Sequence, residues 1–446
     1  MRHPNRRHLI AGLGAAALAM PGAHAQERSG AGPLYAIDFG VVPEIGEDQS
    51  AAMAAAFEAA ETNSRPLVLP PGIIFVRDLT FPGAGLIEGV PGLTMLTALG
   101  EAAVGRIFNA NGLVLRGVGL SGSDMGTTDA LLRIQTSLNV TLDQCVVQNS
   151  TQNGLWIEDS SATITDCIFS GHEDAAIHSI DSRGLMVRGN RIQDCGNAGI
   201  RVWRSEPGPD GSIVTGNRVE HIDWRGGGNG QNGNGINIFR ADGVVISGNH
   251  ISDCAFTAVR LNSTNNTIVS ANVCLKSGEV AIFSEFAFSG SVIADNVIDG
   301  AAFGISMTNL DQGGQLATCS GNVVRNITPS SLVNPDTTPG GIFAEANAVI
   351  TGNTVQSVPG IALGAGHGPY LDNVSITNNV VSDCDVGIGV SVVEDCGPVF
   401  IAGNLIKAPR LHAAIGLRWS EIEEPDLFAN AERFAHVTIG QNAVAG

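Results

Sequence analysis

One short pattern of apolar and polar positions recurs along the chain: an apolar residue, two of any kind, Asn, one more, and an apolar residue again. It reads Val187-Arg188-Gly189-Asn190-Arg191-Ile192, and returns with Val214 and Asn217, Ile246 and Asn249, Val269 and Asn272, and Ile293 and Asn296. It continues with Cys319 and Asn322, Ile350 and Asn353, Ile376 and Asn379, Ile401 and Asn404, and Ile439 and Asn442. Upstream, Leu142 with Cys145 and Ile164 with Cys167 keep the frame with Cys in the Asn slot, and Leu115 with Val118 is a weaker start. Successive slots from 118 to 442 lie 22 to 38 residues apart, so a fixed unit near 22 residues carries loops of variable length.

A second element follows each slot: a small residue, an apolar one, any residue, an apolar one, as in Gly199-Ile200-Arg201-Val202 and Gly235-Ile236-Asn237-Ile238. Both elements alternate with period two, which predicts short strands with one buried face. Two or three such strands cannot bury a face alone, whereas stacked coils bury it continuously. The pattern therefore predicts an all-β, single-domain parallel β-helix, with about 12 to 13 coils over residues 108–446. No period of 3.6 recurs in the unit, which disfavours ankyrin-type and leucine-rich solenoids. Asn suits the slot because it tolerates the left-handed backbone and its amide can bond the equivalent Asn one coil away.

Composition agrees. Gly makes up 57 of 446 residues and charged residues only 15%, as expected of turn-rich coils, and 43% apolar content supplies a core. The formal charge of −19 disfavours nucleic acid and anionic membrane surfaces as partners. Residues 1–25 read as an export signal: Arg2, Arg6 and Arg7, an apolar stretch from Leu9 to Met20, then Ala23-His24-Ala25. The Arg6-Arg7 pair and mild hydrophobicity point to a twin-arginine signal, engaging that export machinery and leaving a periplasmic or secreted protein. Its removal takes away three Arg and no acid, bringing −19 to −22. No later segment is apolar enough for a membrane span.

Residues 26–107 differ in kind. Ile37 to Val41 reads as a short strand, Asp48 caps an Ala-rich helix at 48–61, and Leu67 to Gly72 with Ile73 to Val76 reads as strand, turn and strand. Together with the coils, this segment resembles the amino-terminal strand/helix cap of the pectate-lyase-like superfamily. That resemblance implies a right-handed β-helix. The chain is also similar to the family of twin-arginine-translocated β-helix repeat proteins, which has no established activity and so implies no catalytic residues.

Register sorts the cysteines. Cys195, Cys254 and Cys384 lie five residues past an Asn slot and Cys145 and Cys167 fill one, so they read as small interior hydrophobes. Cys195 and Cys254 are two coils apart, about 9.6 Å at a strand spacing of ~4.8 Å, beyond bridging reach. Only Cys145 and Cys167, on adjacent coils, could pair.

Residues flanking the second strand's apolar positions are expected to point to solvent and to stack. They read Arg133 and Gln135, Trp156 and Glu158, His178 and Ile180, Arg201 and Trp203, Asn237 and Phe239, Arg260 and Asn262, and Phe283 and Glu285. Trp156, Trp203 and Phe239 among polar groups suit a sugar ring, whose C–H face packs on π-systems; the alternative is a solvated face with chance aromatics. Nine of the 21 Lys and Arg left after the signal fall between Arg183 and Arg260, and Arg201, Arg204, Arg240 and Arg260 share the stripe. Guanidinium forks match carboxylates, so an acidic polysaccharide is expected over a neutral one. Elimination or C5 epimerisation needs a base and cations: His178 with Arg201 and Arg260, and Asp181 or Glu158 as partner or Ca²⁺ ligand. A glycosidase pair would draw on Glu158, Asp159 and Asp181. Long loops at Glu206 to Gly211 and Asp223 to Asn234 flank the stripe, and Gly366-His367-Gly368 is similar to a polygalacturonase motif whose Asp-Asp pair has no counterpart here. No cofactor, phosphate-loop or zinc motif is found, and the acids lack a dedicated Ca²⁺ loop. Two readings lead: an exported lyase or epimerase, and a non-catalytic carbohydrate-binding or cell-envelope scaffold protein; a cofactor carrier, which twin-arginine export often serves, is a third without a motif to support it.

Overall fold

The computed structural model describes residues 32–122, 129–228 and 230–446. The export signal at 1–25 lies outside them. From Pro33 to Gly446 the chain is one unit, a parallel β-solenoid of about 14 turns, slightly more than the expected 12 to 13. Each coil places one strand in a 16-stranded sheet that begins at Leu34–Tyr35 and ends at Val437–Ile439. Its other strands form two further columns, merged where long strands such as Val273–Glu285 turn the corner without a break. Among the described residues pairing is parallel throughout except for the hairpin of His412–Arg418 with Glu421–Glu424. Alternate residues such as Ile236, Ile238, Val259 and Leu261 point inward and are fully buried.

The Asn slots form an unbroken ladder from Asn190 to Asn442. Asn217 is representative: its Oδ1 accepts the backbone N–H of Asn190 at 3.0 Å and its Nδ2–H at 2.9 Å. Its own Nδ2 donates to Val187 O at 2.9 Å and to Asn249 Oδ1 at 3.0 Å. The same set repeats at Asn272, Asn322 and Asn379. Every amide is thus satisfied inside the core, as burial demands. Upstream the ladder is continued by thiols, with Cys167 N–H donating to Asn190 Oδ1 and Cys145 N–H to Cys167 Sγ. All cysteines are free, Cys145 and Cys167 included.

One expectation about the slot is corrected. The left-handed residue is not the Asn but the one before it, as at Gly189, Gly216, Gly248, Ala271 and Asp295. A second left-handed corner falls four residues past the slot, at Asp194, His221, Asp253 and Lys276. The slot residue keeps ordinary backbone angles because its side chain must enter the core.

At the amino end, helix α1 spans Ser50–Asn63, two residues later at each end than expected. Asp48 Oδ1 accepts the Ser50 N–H at 2.9 Å, and Met53, Ala56, Phe57 and Ala60 form the buried face against the first coils. Ala36–Phe39 is a 3₁₀ turn closed by Gly40 in the left-handed region, not the expected strand. The segment Pro425 to Ala435 contains helix α2 (Leu427–Asn430), whose fully buried Leu427 packs near the strand His412–Arg418.

Asn272→Ala should remove two donors and an acceptor from the centre of the ladder, leaving Asn249 and the Ile246 carbonyl unpaired in the core. At about 1–3 kcal/mol for each orphaned group, urea unfolding should show a loss of about 3–5 kcal/mol; a loss under about 1 kcal/mol would contradict the ladder's role.

Candidate functional site

The outward stripe stacks as expected. One column runs Arg133, Trp156, His178, Arg201, Asn237, Arg260, Phe283, and the other Gln135, Glu158, Ile180, Trp203, Phe239, Asn262, Glu285. Its exposure does not follow. His178 is 5% exposed, Arg201 4%, Asn237 3% and Arg260 6%. For Arg201, Asn237 and Arg260 the cause is the loop from Asp223 to Asn234, which folds over this part of the stripe, whereas His178 is packed between the rings of Trp156 and Trp203. Asn232 Oδ1 accepts from Arg201 Nη2 at 2.9 Å, Gln231 O accepts from Asn237 Nδ2, and Trp224 packs on Phe256 with ring centroids 5.1 Å apart. At Gly230 a Cβ atom would lie 2.3 Å from the Arg260 guanidinium, so only glycine lets the loop backbone lie there.

The arginines expected to await a carboxylate ligand already hold carboxylates. Arg201 pairs with Asp174 at 2.9 Å. Arg260 takes Glu285 in a fork, Nε to Oε1 at 2.6 Å and Nη2 to Oε2 at 2.8 Å, and reaches Glu279 at 3.2 Å. Glu279 and Glu285 are themselves buried, and Asn334 and Asn262 complete their bonding. Removing one member of such a buried set would strand the rest. Arg204 and Arg240 differ: neither has a carboxylate within ion-pair distance among the described residues, and their guanidinium groups donate to the carbonyls of Ser182 and Ser205 respectively.

His178 sits in a column of rings. Trp156 stacks on it at 4.4 Å, Trp203 meets it edge-on at 5.2 Å, and Phe239 follows at 5.9 Å from Trp203. Guanidinium groups interleave, with Arg201 5.1 Å from the Trp203 ring and Arg240 4.7 Å from that of Phe239. Burial, with Arg201 adding to it, lowers the His178 pKa to about 4, and its Nδ1 is buried without a partner. Asp181 does not reach this ring stack as a bonded partner; it accepts the backbone N–H and hydroxyl of Ser205 at a left-handed corner, and these bonds hold its carboxyl below the usual range. Glu158 accepts from Gln135 Nε2 at 2.9 Å and Trp156 Nε1 at 3.3 Å.

Beside the roofing loop remains a groove of about 520 Å³, lined by Trp203, Phe239 and Phe286, by Gln231, Asn237 and Asn262, and by the Arg260–Glu285 pair. Gln231 and Phe286 were not foreseen; the only sequence signal for Gln231 was its place in the Asn-rich loop. His367, of the Gly-His-Gly match, lies elsewhere, with its ring edge-on to Trp419 at 5.2 Å.

This architecture is a parallel β-helix. Residues 102–274 match the family model described as periplasmic copper-binding protein (NosD). No curated protein matches the chain in sequence. Among solved structures, the N-terminal fragment of bacteriophage phi29 gene product 12 is 14% identical with a TM-score of 0.62, covering 87% of this chain and 73% of that one. The enzymatically active domain of bacteriophage CBA120 tailspike protein 2 is 13% identical with a TM-score of 0.53, covering 66% and 48%. A mannuronic acid specific polysaccharide family 6 lyase from human gut microbiota is 13% identical with a TM-score of 0.50, covering 90% and 93%. The residues present do not fit copper: among the described residues no three His, Cys, Asp or Glu side chains converge, and thiols such as Cys195, pushed up to about 12 by burial, face the core.

The buried imidazoles set a pH dependence. His172 and His178 both have pKa values lowered to about 4, against ~6.5 unfolded. Between these values the unfolded chain binds more protons, so stability falls as pH drops through that window. Each imidazole should cost about 2 kcal/mol between pH 7 and pH 5. His178→Phe, which keeps the ring stack, should flatten the pH profile of urea unfolding by that share; an unchanged slope would show that His178 is not held neutral.

Proposed function

We propose that this protein is an exported polysaccharide-binding β-helix protein, with an extended glycan lying in the groove between Trp203 and Phe286. The carrying observation is the groove's lining, three aromatic rings beside three side-chain amides: rings take the C–H faces of sugars and amides take their hydroxyls. Acidic sugar units would be met by Arg240, whose guanidinium lies 4.7 Å from the Phe239 ring, and by Arg204, the residue after Trp203. The guanidinium groups of Arg201 and Arg260 are not available to them. Export is supported by the basic and apolar pattern of residues 1–25 and by the word periplasmic in the description of the matching family; no helix among the described residues is long and apolar enough to cross a membrane.

Elimination or epimerisation of a uronan is the second reading. One observation favours it, a neutral His178 imidazole beside the Arg201 guanidinium. Against it stands the burial of both groups, which leaves a base little access to a sugar C5 proton.

Purified protein incubated with a panel of uronans and neutral glycans should bind at least one polymer. Trp203→Ala and Phe239→Ala should each weaken that binding about tenfold, the scale of one lost ring contact. Arg240→Ala should weaken uronan binding alone. Lack of binding to every polymer, or unchanged binding in both ring variants, would overturn the proposal; appearance of an unsaturated product, abolished by His178→Ala, would move it to the lyase reading.

A further inference from the structure

A separate cleft lies farther along the same face. The outward column continues from Phe283 through Ser306, Phe343, Gly364 and Gly389 to Ile415. Two successive coils therefore present no side chain, which opens a notch in an otherwise filled face. Neighbours lean into it: a Cβ at Gly364 would come within 2.5 Å of the Phe343 ring, and one at Gly389 within 2.9 Å of Ile361. The resulting cleft holds about 580 Å³ and is walled by Phe303, Phe343, Ile361, Leu417 and Trp419. Trp419 is set by the hairpin turn in which it lies, at a left-handed φ of 58°, with its ring over Gly368, where a Cβ would come within 2.4 Å.

Glu345 lines the cleft at 7% exposure and no Lys or Arg does; the imidazole of His367, edge-on to Trp419, is its one basic side chain. One carboxylate oxygen accepts the Leu310 N–H at 2.7 Å. Burial pushes this carboxyl up, and Asp311 nearby acts in the same direction; no Lys, Arg or His of the described residues lies within ion-pair distance of it. The neighbouring amide offers no further acceptor, because Asn309 Oδ1 already takes the Thr308 hydroxyl and the Phe286 N–H. Apolar walls, three carbocyclic or indole rings, one buried acid and one imidazole describe a pocket different in kind from the amide-lined groove, and the two share no residue.

We propose that this cleft binds a small organic cation, an amine with an aromatic or alkyl body, its ammonium group against Glu345 and its body among Phe303, Phe343 and Trp419. The ring faces attract a cation, the carboxylate pairs with it, and the volume falls in the range of small-molecule sites. An anionic ligand would meet the Glu345 carboxylate and no guanidinium or ammonium group. This inference goes beyond the glycan reading and does not depend on it.

The test uses the full mature chain, titrated calorimetrically near neutral pH with 4-phenylbutylamine and with its neutral counterpart 4-phenylbutanol. The amine should bind at least about tenfold more tightly. Glu345→Gln should erase that preference while keeping alcohol binding. Because Glu345 also holds the Leu310 N–H, thermal unfolding followed by circular dichroism checks that variant, and Trp419→Leu, which leaves Glu345 in place, should weaken both ligands. Equal affinities for amine and alcohol, a preference that survives Glu345→Gln, unchanged binding in Trp419→Leu, or no binding at all would overturn the proposal. None of these readouts involves a polysaccharide, so a failed glycan reading leaves the test intact.

Discussion

A buried amide with two donors and two acceptor sites to fill governs this molecule. Each coil must return, after 23 to 38 residues, to set its Asn within about 3 Å of the ones above and below. A slip of one residue would turn the inward side chains outward and leave four polar positions unpaired in the core. The left-handed corners on either side of the strand that follows the slot serve this requirement, since they bend the chain without asking the Asn itself to leave ordinary geometry. Everything else about a coil is secondary to this return.

Because the corners absorb the turning, loop length is unconstrained, and the loop from Asp223 to Asn234 shows the result. It hangs from one coil, covers the stripe of its neighbours, and turns Arg201, Asn237 and Arg260 from surface groups into buried ones. A guanidinium in that setting must be paired, and Asp174, Glu279 and Glu285 supply the pairs. The charge that the stripe gains from its arginines is thereby cancelled from within. Rings and amides are left at the surface beside the loop, with Arg204 and Arg240 as the remaining cations of the stripe.

Much of this was legible in the sequence, for a physical reason. The slot pattern and the second strand are local periodicities, so the fold class, the cap helix and the register of Trp156, His178, Arg201, Asn237 and Arg260 could all be read. What escaped depends on contacts between distant segments. Nothing near Arg201 announces Asp174, 27 residues away, or that Asn232 would close over it. Glu279 and Glu285 acquire meaning only beside Arg260. The cleft at Gly364 and Gly389 is marked by missing side chains, which a search for chemically active residues passes over. The short turn at Ala36–Phe39 was misread because its apolar residues alternate as a strand does, while Gly40 closes it.

The ladder also bears on how such a protein changes over generations. Its rungs are interchangeable, and each coil recognises its neighbours through the same amide, so a duplicated or deleted coil can rejoin the stack in register. The face lengthens or shortens in steps of one strand spacing, about 4.8 Å, while the loops that decorate it are exchanged one at a time. Reach and chemistry are therefore separately heritable in this architecture: the number of coils sets how long a ligand can be, and a single insertion such as the one at Asp223 sets what it meets.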